Sequence, residues 1–271
     1  MVLEKEKKIK KHFQIRLAGR IFEIEHNYDY VKEYCKNYLI EKGEVQPVIS
    51  INVNASDILF ERKKSEMEDL KEGRNIRRFS EEYLETLAVY RKITEVLLTF
   101  DTLLFHGSVI AVDGKGYLFA AKSGTGKSTH ARLWKEHFGA QAEIINDDKP
   151  LLKITEKDVI ACGTPWNGKH RLDTNKEVPL QGICILRRAV DNHIEIADRK
   201  EVYPVIVQQT YRSGITVENM KITLQLIDRM IQRVPVYKLE CNMKPEAVVV
   251  AYNEMQKGRK SDEVERYIYN S

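Results

Sequence analysis

Residues 103–134 read LLFHGSVIAVDGKGYLFAAKSGTGKSTHARLW, and residues 142–150 read AEIINDDKP. The apolar run from Tyr117 to Ala120 predicts a strand, and the glycine-containing segment 121–126 follows it directly. A helix is expected to begin near Lys127. This succession of strand, glycine loop and helix, with a second strand and two carboxylates soon after it, is typical of an α/β fold.

The loop before Lys127 has the composition of an anion-binding site. Glycines admit unusual φ angles and have no Cβ, so successive backbone N–H groups can turn toward one anion. The positive end of the following helix faces the same point. The N–H groups expected to contact phosphate belong to Ser123, Gly124, Thr125 and Gly126.

The residues after the loop predict nucleotide and metal contacts. Lys127 is expected to reach the β- and γ-phosphates of ATP, the Ser128 hydroxyl to bind Mg²⁺, and Thr129 to contact the α-phosphate side. The usual pattern begins with glycine where this chain has Ala121, and alanine fits there if φ is negative. The alternative is a glycine-rich turn with a helix-capping serine.

Asp147 and Asp148 follow the apolar pair Ile144 and Ile145. Phosphoryl transfer needs a metal ion held by oxygen ligands and a group that accepts the proton of the attacking hydroxyl. Adjacent residues at a strand end point in opposite directions, so two different roles are natural. The alternative is a solvated Asp-Asp turn before Pro150.

His106 precedes a predicted hairpin. Residues 108–112 alternate, Asp113 and Gly114 supply the turn, and residues 117–120 return. A histidine at the start of this hairpin is placed to orient a catalytic base or the γ-phosphoryl group, although a lone histidine is more often structural.

Taken together, the HG pair, the hairpin, the glycine loop and the INDDKP segment resemble the catalytic domain of the HPr serine kinase/phosphorylase family. That family shares its P-loop fold with ATP-dependent phosphoenolpyruvate carboxykinase. The resemblance covers residues 103 to about 170. It implies that Asp147 accepts the proton of the acceptor hydroxyl, that Asp148 serves the metal, and that His106 belongs to the active site. The hexamers of the HPr kinases also imply self-association.

The chain departs from the protein-directed HPr kinases in two places. Thr129 stands where they have glutamate, and their downstream glutamate signature is replaced by CGTPWNGKHR at residues 162–171. Gly163, Pro165 and Gly168 mark this segment as a shaped loop. We interpret it as a phosphate- or acceptor-contacting loop, with an ordinary basic surface turn as the alternative. Its expected contacts are Trp166, Lys169 and Arg171.

Composition excludes several classes of protein. The 271 residues are 42% hydrophobic with a net charge of +4, and no apolar run is long enough to cross a membrane. No signal peptide is recognisable, so we expect a cytoplasmic protein that binds no membrane. The basic stretch at residues 5–11 lacks an aromatic platform for nucleic acid. Cys35, Cys162, Cys184 and Cys241 are widely spaced, which favours free thiols.

The remaining elements suggest two domains, a small N-terminal α+β unit with a connecting helix at residues 1–100 and a P-loop kinase domain at residues 101–271. Residues 61–78 are charge-rich and expected to be exposed. Arg187 and Arg188 are interpreted as surface arginines in ion pairs, and phosphate contact is the alternative. Strands 13–17 and 20–25 are predicted to form a hairpin through Ala18 and Gly19, and strands 150–154 and 159–162 to form another. Further strands are predicted at 48–53, 182–186 and 236–239, and helices at 28–40, 80–100, 202–211, 219–233 and 245–257.

The sequence therefore predicts an α/β protein with an HPr-kinase-like mixed sheet that acts as an ATP- and Mg²⁺-dependent kinase. The acceptor would be a hydroxyl of a serine in a small protein or peptide, or of a small compound. A nucleotide-binding regulatory protein with little or no phosphotransfer is the second hypothesis. Carboxykinase chemistry is the third, and it needs metal ligands that the sequence does not reveal.

Overall fold

A computed structural model of the chain describes residues 11–41, 49–121, 124–168, 170–212 and 216–269, with side chains up to Lys257. Ser123, Lys169 and residues 5–10 of the basic stretch lie outside the described residues. The chain divides into two compact units, Met1–Ile93 and Thr94–Ser271. This division falls inside a helix, whereas the sequence predicts a boundary after residue 100.

The first unit contains a three-stranded sheet in the order β1-β2-β3. The predicted hairpin is confirmed: β1 and β2 are antiparallel and joined by Ala18 and Gly19, both at positive φ as the two-residue turn requires. The predicted helix at 28–40 is shorter than expected: it ends at Tyr34, and the Ile40 N–H bonds to the Gln14 carbonyl. The elements are β1 (Lys11–Leu17), β2 (Arg20–His26), α1 (Asp29–Tyr34), β3 (Ile49–Asn52), α2 (Ala55–Lys71) and α3 (Glu81–Leu97).

Residues 61–78 are mostly exposed, as expected, but residues 61–71 belong to helix α2, which was not predicted. Asn54 and Asp57 form a reciprocal capping box at the start of α2, just before the charge-rich stretch. Asp69 in the last turn of α2 is buried and accepts hydrogen bonds from Arg74 and Arg77. Charges of this stretch are therefore partly organised into ion pairs, in which the exposed side chains of Arg74 and Arg77 bind the buried carboxylate of Asp69.

The second unit is built on a nine-stranded mixed sheet. Most neighbouring strands are antiparallel, but β10 runs parallel to both β6 and β12. The elements are β4 (Thr102–Leu104), β5 (Ser108–Val112), β6 (Lys115–Ala120), α4 (Lys127–Phe138), β7 (Ala142–Asn146), β8 (Leu151–Ile154), β9 (Val159–Cys162), β10 (Glu177–Arg188), β11 (His193–Ile196), α5 (Arg199–Gln209), α6 (Val217–Arg233), β12 (Val236–Cys241) and α7 (Glu246–Tyr269).

Helices cover both faces of this sheet. Successive strand residues point to opposite faces, and the buried residues form two clusters that follow this alternation. Val109 and Leu118 belong to the cluster that includes α5 and α6, whereas Ile110 and Phe119 belong to the one that includes α4 and α7. Burial on both sides explains why the central strands read as continuous apolar runs.

The predicted α/β class, with a mixed sheet and a small N-terminal α+β unit, is confirmed. The hairpin β5–β6 is as predicted, with Asp113 and Gly114 at positive φ, and so is the hairpin β8–β9. Strands β4 and β11 were not predicted. All four cysteines are buried and unpaired. In the described part of the chain, no helix combines the length and apolarity needed to cross a bilayer.

Candidate functional site

Strand β5 brings three separate chain segments to one edge of the sheet. It lies between β6 and β7 and is antiparallel to both, so its first residue is next to the last residues of its neighbours. Ser108 pairs with Phe119 near the end of β6, and Val109 pairs with Asn146 at the end of β7. His106 before β5, the loop after β6 and the acids after β7 therefore meet.

The segment 121–126, which we call the glycine loop, joins β6 to α4. Gly124 and Gly126 have φ angles of +78° and +118°, which residues with a Cβ rarely adopt. Gly126 is the N-cap of α4, and among the described residues no side chain caps this helix end. Backbone N–H groups of the first helical turn have no partner within the helix, so this end can bind an anion.

Lys127 lies at the first position of α4 and is partly buried. Its Nζ is 3.3 Å from the Ala121 carbonyl oxygen, across the base of the glycine loop. Burial lowers the pKa of the Lys127 ammonium, and the nearby charges of Asp148 and Asp147 oppose that change. The predicted lysine and the predicted acid pair are therefore close enough to interact electrostatically.

Asp147 is almost fully buried, with 4% of its surface exposed. Its carboxylate accepts a hydrogen bond from the Ser108 hydroxyl at 3.0 Å. Burial raises the pKa of Asp147, and hydrogen bonds from Ser108 and Ser128 counteract part of this rise. Asp147 thus connects β5 to the first turn of α4, where the predicted metal ligand Ser128 lies.

Asp148 forms a different set of contacts. Its carboxylate lies 3.3 Å from His106 Nε2 and 3.0 Å from Lys149 Nζ. Burial alone would raise the pKa of Asp148, but hydrogen bonding and charge from His106 and Lys149 outweigh burial and hold that pKa well below its usual range. Asp148 is therefore an anion, and the two adjacent acids face different partners as predicted from their position at a strand end.

Asn146 fixes the backbone of the acid pair, a role that sequence reasoning missed. The Asn146 side-chain oxygen accepts the backbone N–H groups of Asp148 and Lys149 at 2.9 and 2.6 Å. Its amide nitrogen donates to the carbonyl and hydroxyl oxygens of Thr164, each at 3.0 Å. The fully buried Asn146 side chain therefore ties the acids to the loop that begins after β9.

That loop, residues 163–176, packs beneath the acids. A Cβ on Gly163 would lie 1.8 Å from the Thr174 carbonyl oxygen, so only glycine fits there. A Cβ on Gly168 would lie 3.5 Å from Asp148 Cβ, which places the loop directly against the acid pair. The Asp147 N–H also donates to the Leu172 carbonyl at 3.2 Å.

Two side chains of this loop that were predicted to contact the acceptor, Trp166 and Arg171, differ in their exposure to solvent. Trp166 is 1% exposed, which contradicts the expectation that its indole offers an aromatic face to a ligand. The apolar indole ring of Trp166 packs in the protein interior instead. Arg171 is exposed, with a positive φ of 50°. His170 is close enough for its charge to influence the pKa of Asp147.

The residues present fit a triphosphate with a magnesium ion better than a metal ion alone. Among the described residues, no cluster of three or more His, Cys, Asp or Glu side chains could hold a metal by itself. Mg²⁺ in phosphoryl-transfer sites is usually bound by one or two protein oxygens together with phosphate oxygens. Ser128, Asp147 and Asp148 supply protein oxygens next to the glycine loop.

Fold and site together define an α/β protein with a glycine loop at a helix N-terminus and an acid pair at the same edge of the sheet. Comparison with known families identifies it further: the family described as "SynChlorMet cassette protein ScmC" matches residues 74–248, and the chain belongs to that family. No curated protein matches the chain. The Hpr(Ser) kinase/phosphatase from Coxiella burnetii is a distant structural neighbour, with 12% identity over 60% of this chain and 97% of its own. Its TM-score of 0.34 is too low to support an argument about activity.

Proposed function

We propose that this protein is an ATP- and Mg²⁺-dependent phosphotransferase that moves the γ-phosphate onto an acceptor hydroxyl. The observation that carries the proposal is the position of Asp147: its carboxylate accepts a hydrogen bond from Ser108 on β5, and the Ser128 hydroxyl on α4 is near enough to lower the pKa of Asp147. A carboxylate near the helix end that follows a glycine loop is an arrangement that phosphoryl transfer can use. Neither the loop nor the acids alone would favour this chemistry over a structural role.

The glycine loop and the start of α4 would hold the phosphates. Gly124, Thr125 and Gly126, with Ser123, supply backbone N–H groups, Lys127 supplies a positive charge, and Thr129 is the proposed contact on the α-phosphate side. The partial burial of Lys127 strengthens its interaction with an anion because the local dielectric constant is lower than in water.

Asp147 is the proposed proton acceptor. It would take the proton of the acceptor hydroxyl as that oxygen attacks the γ-phosphorus and the bond to ADP breaks. A raised pKa suits this role, because a base that is too acidic binds a proton poorly. His106 would orient the site through Asp148, with which it forms an ion pair when protonated.

Ser128 and Asp148 are the proposed protein ligands of Mg²⁺. When bound, the ion neutralises charge on the β- and γ-phosphates. The hydrogen bond between Ser128 and Asp147 supports the alternative in which the two acids exchange roles. Metal dependence separates these assignments, because loss of the metal ligand raises the Mg²⁺ concentration needed for activity, whereas loss of the base lowers the rate at every concentration.

The proposal is tested with γ-labelled ATP, Mg²⁺ and fractionated cell extract, followed by mass identification of the labelled species. Asp147→Asn should abolish label transfer while ATP still binds. Asp113→Asn is the matched control, because Asp113 lies in the β5–β6 turn at positive φ, where asparagine is equally acceptable. The control should transfer label at the wild-type rate.

Each outcome of this experiment identifies one function. Label on a protein, peptide or small molecule supports the kinase and reveals its acceptor. ATP binding without transfer, unchanged in Asp147→Asn, would instead indicate a nucleotide-binding regulatory protein. ATP consumption that depends on oxaloacetate would indicate carboxykinase chemistry.

A further inference from the structure

Arg188 donates hydrogen bonds to two backbone carbonyl groups of the glycine loop. Its Nε donates to the Thr125 carbonyl at 3.0 Å, and its Nη2 donates to the Gly124 carbonyl at 2.5 Å. The contact follows from topology: β10 runs parallel to β6, and its last residues extend past the end of β6 toward the loop. The neighbouring Arg187 turns elsewhere, with its Nη2 3.4 Å from Glu201. Only Arg187 therefore fits the expected surface ion pair.

The two carbonyls bound by Arg188 determine where two N–H groups point. The C=O of Gly124 and the N–H of Thr125 belong to one peptide plane, and the C=O of Thr125 and the N–H of Gly126 belong to the next. In a trans peptide, N–H and C=O point in opposite directions, and the described chain contains no cis peptide bonds. Because Arg188 holds both carbonyls on its own side of the glycine loop, both N–H groups point to the opposite side of the loop.

We infer that Arg188 is a positioning residue for triphosphate binding. It holds the peptide planes of Gly124 and Thr125 so that the N–H groups of Thr125 and Gly126 converge on the phosphates. The inference rests on the proposed function of the glycine loop as the triphosphate site. Because of its glycines, this loop can adopt many backbone conformations. The Arg188 guanidinium restrains the loop before the anion binds, so less conformational entropy is lost on binding.

The test compares Arg188→Gln with the matched neighbour Arg187→Gln and the conservative Arg188→Lys. Binding of ATP and of inorganic tripolyphosphate, each with Mg²⁺, is measured by calorimetry. Arg188→Gln should weaken both ligands by a similar factor of about five to ten, because exposed charge-assisted hydrogen bonds are worth only about this much. Arg187→Gln should bind within about twofold of wild type, and Arg188→Lys should recover part of the loss.

Amide hydrogen exchange of residues 121–130 in the ligand-free proteins supplies a second readout that does not depend on nucleotide. Exchange should be faster in Arg188→Gln than in Arg187→Gln, while the two variants melt at similar temperatures. Wild-type exchange or wild-type affinity for both ligands in Arg188→Gln would overturn the inference. If the wild-type protein bound neither triphosphate, the proposed function would fail and the inference with it, whatever the exchange showed.

Discussion

The Ser108 hydroxyl donates to the Asp147 carboxylate at 3.0 Å, from the first residue of β5 to the first residue after β7. Both residues are buried, and the same hydroxyl lies 3.1 Å from the Asp147 carbonyl oxygen. This contact sets the direction of the carboxylate that also meets Ser128. Strand pairing thus determines where the proposed proton acceptor points.

Ser108→Ala is expected to reduce both stability and phosphoryl transfer. The substitution leaves a buried carboxylate with one fewer donor, which costs about 1–3 kcal/mol in the free energy of unfolding. Without this donor the carboxylate is less well oriented, and we expect transfer to fall by about tenfold or more. Urea unfolding and label transfer from γ-labelled ATP measure the two effects. Wild-type transfer by Ser108→Ala would show that this hydrogen bond does not position Asp147.

Gly163→Ala is expected to disrupt the loop beneath the acid pair. Its Cβ would lie 1.8 Å from the backbone carbonyl oxygen of Thr174, and backbone atoms cannot move aside cheaply. We expect a loss of about 3 kcal/mol or more in the free energy of unfolding. The matched control is Gly114→Ala, whose Cβ meets nothing within 4 Å and whose positive φ alone costs about 1–2 kcal/mol. Equal losses in the two variants would contradict the packing argument.

Asp69 is expected to give the N-terminal unit an acid-sensitive stability. Hydrogen bonds from Arg77, and then from Arg74, hold the pKa of Asp69 well below its usual range even though burial opposes them. An unfolded aspartate has a pKa near about 4, so the stabilisation is complete above that pH. It is lost as the pH falls below about 4 toward the lower pKa of the folded state.

Asp69→Asn should therefore destabilise the protein at neutral pH and flatten this acid dependence, as measured by urea unfolding with circular dichroism between pH 7 and 2.5. Asp29→Asn is the control, because Asp29 pairs with Lys11 in an exposed position. Exposed pairs contribute little. A similar loss in both variants would contradict the role assigned to Asp69 and its two arginines.

The hairpins and central strands of the fold could be predicted because local residue types determine them. Asp113-Gly114 and Ala18-Gly19 admit positive φ and so identify two hairpins, and apolar runs identify the central strands. Helix α2 was missed because most of its residues lie in the charge-rich stretch 61–78, although Asn54 and Asp57 form a capping box just before it. Such a composition looks the same whether the charges are solvated or paired.

Only separate motifs of the candidate functional site could be predicted from the sequence, and not the contacts between them. The glycine loop and the acid pair have recognisable spacing, but nothing in the sequence says that Ser108 and Asn146 support Asp147 and Asp148. Those contacts depend on which strands pair and in which register, which is a long-range property. Trp166 shows the opposite failure, because an aromatic residue in a glycine-rich loop is expected at the surface and here fills the interior.

The proposed function requires that the glycine loop and the acids bind one magnesium triphosphate. Calorimetric titration of wild type and Lys127→Gln with ATP, with and without Mg²⁺, measures this binding. Lys115→Gln is the control, because Lys115 is exposed at the opposite end of β6. We predict Mg²⁺-dependent binding to wild type and Lys115→Gln, weakened by about tenfold or more in Lys127→Gln. No binding to wild type, or equal binding to all three proteins, would contradict the account.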